Sequence, residues 1–123
     1  MAQNPVGWFE IYVQDMERAG AFYTSVLQVE LQDLKNPGLE MRTFPMDPAG
    51  ARASGALVKA PGIPSGGNST LVYFHCEDCA TEAGRVGSAS GRVHKEKFSI
   101  GEYGFIALAF DTEGNMFGLH SRK

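Results

Sequence analysis

The sequence predicts an α+β fold built from two tandem β-α-β-β-β modules, and three observations carry that prediction. A strand–Asp–helix pattern occurs twice, at residues 8–15 and 71–78, with an offset of 63 residues. Three further strand candidates follow each helix. A stretch rich in Pro and Gly, residues 61–68, lies between the two copies. The modules are expected at residues 5–60 and 69–123, joined by linker 61–68, and together they form one domain.

The first strand reads W-F-E-I-Y-V-Q-D. Phe9, Ile11 and Val13 alternate with Trp8, Glu10 and Tyr12, the period of a half-buried strand. Asp15 is placed to cap a helix. Met16, Ala19, Tyr23, Val26 and Leu27 then recur at helical spacing. Strands are predicted at 29–34, 39–46 and 53–59, separated by the turns Asn36-Pro37-Gly38 and Asp47-Pro48-Ala49-Gly50.

In the second copy Val72, Phe74 and Cys76 take the inward places, Asp78 the cap, and Cys79, Val86 and Ala89 the helix face. Strands are predicted at 92–99, 104–110 and 116–121. Gly84 and Gly87 each weaken the second helix by about 1 kcal/mol relative to Ala. Either the helix is short, or another backbone packs closely against those glycines.

Composition excludes several classes. At 43% hydrophobic and 11% aromatic residues, the chain can bury a core without staples, which excludes a disordered or disulfide-built protein. The net charge is −3 with no run of Lys or Arg, so no nucleic-acid partner is expected. The longest apolar run, residues 105–110, is far below the roughly 20 residues of a membrane helix. Met1-Ala2-Gln3-Asn4-Pro5 has no signal-peptide pattern, so a cytoplasmic location is expected.

The chain resembles the vicinal oxygen chelate superfamily, the group of glyoxalases, bleomycin-resistance proteins and extradiol dioxygenases. The matching segments are F-E-I-Y-V-Q-D with A-F-Y-T-S-V-L, S-G-A-L-V-K, L-V-Y-F-H-C-E-D, and I-G-E-Y-G-F with D-T-E-G-N-M-F-G-L-H. The resemblance implies a curved, mostly antiparallel sheet around a cavity (the glyoxalase-like fold), a small-molecule ligand and a homodimer. Metal-dependent members place His, Gln or Glu on the first and fourth strands of each module. Those positions correspond here to Trp8, Gly55, Leu71 and Gly118, none of which offers an oxygen or imidazole donor. No metal cofactor is therefore expected, and a divalent ion on non-standard ligands stays open. Cys76 and Cys79 form a C-x-x-C beside His75 but have no second Cys/His pair, and they read as structural thiols.

Alternation sends Trp8, Glu10, Tyr12, Gly55, Leu57, Lys59, Leu71, Tyr73, His75, Met116, Gly118 and His120 to the concave face. Trp8, Tyr12, Leu57, Tyr73 and Tyr103 are the candidate substrate-binding residues, with Tyr103 on a glycine-flanked turn, 101–104, that reads as a lid. Glu10, His75 and His120 are the candidate catalytic groups. A carboxylate on an apolar strand must be paired, hydrated or protonated, and imidazole is the side chain most often used for acid–base work. Two functional readings follow. One is a metal-free protein that binds a small, partly aromatic molecule. The other is a glyoxalase-like lyase or isomerase with Glu10 as general base; metal-dependent dioxygenase activity is not expected.

Overall fold

The computed structural model describes residues 4–46, 53–67 and 69–123. The predicted turn 47–50, Asn68 of the linker and the side chain of Val26 lie outside the described residues. The elements run β1 (Val6–Tyr12), α1 (Met16–Leu27), β2 (Gln32–Asn36), β3 (Leu39–Thr43), β4 (Ser54–Lys59), β5 (Thr70–His75), α2 (Cys79–Val86), β6 (Arg92–Ser99), β7 (Phe105–Phe110) and β8 (Met116–Ser121). The order is β-α-β-β-β twice, an α+β fold. The chain divides into two compact units, Phe9–Thr70 and Met1–Trp8 with Leu71–Lys123, so the division falls inside β1. Among the described residues no helix is long and apolar enough to cross a membrane.

In the unit Phe9–Thr70, the Asp15 carboxylate accepts the Arg18 N–H at 3.0 Å and starts α1. Gln28 ends the helix in the left-handed region, φ 56°. Residues 29–31 then return the chain to the sheet, with Leu31 packed on the core, so β2 begins at Gln32 rather than at 29. β2, β3 and β4 form an antiparallel meander. Val13, Met16 and Leu57 are buried together, flanked by Ile11, Tyr23 and Phe44. Phe9 and Tyr23 both pack on the Phe44 ring, with centroids 5.4 and 5.9 Å away. On the same side, Arg42 spans Glu17 of α1 and Asp33 of β2 at 2.9 and 3.0 Å. The described part of the linker is tied to the end of β1, where Gln14 donates to the Ile63 carbonyl and Ser65 to the Tyr12 carbonyl, each at 2.9 Å.

Leu57, expected among the ligand-facing residues, is fully buried on the α1 side with Val13 and Met16. Gly55 shares its parity, and the Phe9 ring lies where a Gly55 β-carbon would be. The cause is plain in the burial of β4, where Gly55, Ala56, Leu57 and Val58 are all buried. A strand covered on both faces has no polar alternation to show which residues face the helix.

In the other unit, β5 pairs with β8 in parallel, and β8, β7 and β6 continue as an antiparallel meander. Asp78 caps α2 by accepting from the Ala80 N–H at 3.0 Å and also pairs with Lys97 at 2.8 Å. The helix has 8 residues, and no atom lies within 4 Å of a β-carbon built at Gly84 or Gly87. Of the two readings, the short helix is the one realised. Cys76, Cys79, Ala83, Ala107 and Leu119 form the core, with Phe74, Phe105 and Phe117 against it. Ser121, fully buried on β8, accepts the Cys79 N–H at 3.0 Å and donates to the Lys123 carbonyl at 2.8 Å.

Candidate functional site

The unit containing Leu71–Lys123 has one sheet face filled by α2. Phe74 on β5, Ala107 on β7 and Leu119 on β8 point there. Residues of opposite parity therefore occupy the other face, and register sorts them into two rows. Tyr73, Gly118 and Leu108 lie side by side across β5, β8 and β7. His75, His120 and Ile106 form the next row. Tyr73 is buried, its ring covering Gly118, whereas His75 is exposed and His120, Ile106 and Leu108 are half-buried.

The two histidine rings have centroids 6.3 Å apart at an interplanar angle of 43°. His120 Nε2 lies 2.6 Å from the Tyr103 carbonyl oxygen. A carbonyl only accepts, so Nε2 carries the proton, and in the neutral ring Nδ1 keeps its lone pair. The same bond holds the turn Gly101–Tyr103, whose own side chain is exposed. Gly104 follows with φ +107°, and its backbone packs so closely on the Ser121 carbonyl that a β-carbon would collide. Both constraints fix the candidate lid residues to β8. The His75 N–H donates to the Pro5 carbonyl at 2.7 Å. Trp8, at the end of the N-terminal segment of this unit, is half-buried.

The candidates Glu10 and Tyr12 belong to the unit Phe9–Thr70. There the Tyr12 hydroxyl donates to Glu10 Oε1 at 2.6 Å, and both residues are half-buried. The hydrogen bond orients the carboxylate along β1 and satisfies part of its demand for donors. Spacing two apart on a strand was the signal available for this pair. No local signal announced the bond between His120 and Tyr103, 17 residues apart.

Cys76 and Cys79 are both free and buried. Burial, followed by the charge of Glu82 and a hydrogen bond with it, pushes the Cys76 thiol up to about 11. That is the setting of an unreactive thiol, not of a nucleophile.

The donor chemistry of the metal positions can be tested on side-chain identity. Leu57 and Leu119 are the buried helix-side leucines of their last strands, so the counterpart of Gly118 is Ala56 rather than Gly55. None of Trp8, Ala56, Leu71 and Gly118 carries an oxygen or imidazole side-chain donor for a divalent ion. Among the described residues, no group of three or more His, Cys, Asp or Glu could hold a metal.

Three comparisons bear on this geometry. The family model of the Glyoxalase/Bleomycin resistance protein/Dioxygenase superfamily matches residues 6–119. No curated protein matches the sequence. Among solved structures, a variant of Streptomyces coelicolor methylmalonyl-CoA epimerase in complex with 2-nitronate-propionyl-CoA is similar, with a TM-score of 0.72, 17% identity and 98% of each chain covered. The epimerase from Mycobacterium tuberculosis gives 0.71 at 17% identity, covering 97% of this chain and 88% of the other. A superfamily member from Vibrio splendidus 12B01 gives 0.67 at 18% identity, covering 94% and 97%. At such identities the likeness is one of fold.

Proposed function

The chain belongs to the Glyoxalase/Bleomycin resistance protein/Dioxygenase superfamily, and from that premise we propose that it binds a small, partly aromatic molecule without a metal ion at the positions Trp8, Ala56, Leu71 and Gly118. The observation that carries this reading is the row His75–His120–Ile106 beside Tyr73–Gly118–Leu108. It sets apolar side chains next to two imidazoles, one held by the Tyr103 carbonyl and one exposed, the mixture of a ligand surface. The acyl-CoA analogue in the Streptomyces epimerase supports a small-molecule use of this fold. A homodimer in the cytoplasm is part of the same proposal.

The test is native mass spectrometry of chelator-treated protein against a panel of aromatic acids and acyl-CoA thioesters. One bound molecule per chain is expected, with binding weakened in His75→Ala and His120→Ala. Retention of no panel member, or equal retention by both variants, would overturn the reading.

A second reading rests on the Tyr12–Glu10 hydrogen bond, which holds a half-buried carboxylate in one orientation. There Glu10 is the general base of a lyase or isomerase. Glu10→Gln would then keep ligand binding and abolish turnover. A loss of binding and fold together would assign Glu10 a structural role instead.

A further inference from the structure

We propose that His75 and His120 form a binding site for a borderline divalent transition-metal ion, at a place distinct from Trp8, Ala56, Leu71 and Gly118. The two residues are direct register partners on parallel strands β5 and β8. Their ring centroids stand 6.3 Å apart. A metal–nitrogen bond of about 2.1 Å plus about 1.1 Å from nitrogen to ring centre spaces two coordinated imidazole centroids by roughly 5.2 Å at a tetrahedral angle and 6.4 Å in line. The observed separation lies at the in-line end of that range, and the exposed His75 ring must turn toward His120 to reach the tetrahedral spacing.

The orientation of His120 is the second, independent observation. Its Nε2–H donates to the Tyr103 carbonyl at 2.6 Å, which leaves Nδ1 as the ligating atom. A histidine bound to metal typically donates its other N–H to a carbonyl or carboxylate, and that bond fixes the tautomer and raises ligand basicity. Here the supporting bond is already made. His75 is exposed, so its ring can rotate onto an ion while its backbone stays fixed by the bond to Pro5.

Two imidazoles select copper, nickel or zinc over magnesium or calcium. The remaining coordination positions are open to water or to a ligand oxygen. With two protein ligands the site is weaker than a four-ligand structural site. The proposal does not rest on the small-molecule reading, because the metal alone is the probe.

The experiment is calorimetric titration of the chelator-stripped full chain with NiCl2, ZnCl2 and MgCl2. One nickel or zinc ion per chain and no magnesium are expected. His75→Gln and His120→Gln should each weaken binding by at least about tenfold, whereas His94→Gln, on β6 against Phe110, should not change it. In the unsubstituted chain, substoichiometric Ni2+ should broaden the imidazole signals of His75 and His120 before that of His94, which keeps the test independent of whether a variant folds. Absence of binding at millimolar metal, undiminished binding in the His75 and His120 variants, or earlier broadening of His94 would each overturn the site.

Discussion

The ring of Tyr73 lies over the backbone of Gly118, its register partner on β8, in the space a β-carbon would need. The residue at position 118 thus has a steric reason to be glycine, independent of any ligand. In the other unit the Phe9 ring covers Gly55 in the same way, with ring atoms from 2.5 Å of a built β-carbon, but on the helix side of the sheet.

Gly118→Ala must displace Tyr73 and is expected to cost about 1–3 kcal/mol, the usual range for overpacking. Urea unfolding of the variant measures this. Tyr73→Leu in the same chain should recover part of the loss, because the two positions share one volume. Additive effects would show that the contact is not the cause.

Ser121 is buried and joins the first N–H of α2 to the carbonyl of Lys123. Ser121→Ala leaves both groups without that partner, and a loss of about 1–3 kcal/mol follows from an unsatisfied buried donor. Hydrogen exchange at the Cys79 amide should accelerate along with the loss of stability. Unchanged exchange there would rule out the capping role.

The raised pKa of Cys76 gives a pH dependence of defined sign. Between about 9 and about 11 the unfolded thiol has lost its proton while the folded one retains it. The unfolded state then binds fewer protons, so stability falls as pH rises through that window. It is fully present below the window. The change amounts to at most about 3 kcal/mol, since each of the two pKa units corresponds to about 1.4 kcal/mol. Glu82→Gln removes the neighbouring charge and should lower the Cys76 pKa and shrink the effect. Thiol titration by ultraviolet absorbance, run beside unfolding at pH 8 to 11, checks both.

Much of the fold was legible because its signals are local. Asp15 and Asp78 cap their helices through bonds within three residues. β6 and β8 begin and end where turn residues and alternation place them, at Arg92–Ser99 and Met116–Ser121. The face carrying Tyr73, His75, Gly118 and His120 was readable too, since Phe74 and Leu119 mark the opposite side as core.

Tertiary structure alone decided three things. The parity of β4 put Leu57 against α1, because a strand buried on both faces shows no alternation. The orientation of His120 came from a carbonyl 17 residues away. The burial of Ser121 came from a helix that starts 42 residues earlier. Local sequence sets the period of a strand and the start of a helix through nearby backbone groups. Which side of a strand meets the core, and which polar atoms meet each other, depends on chain segments brought together only by folding.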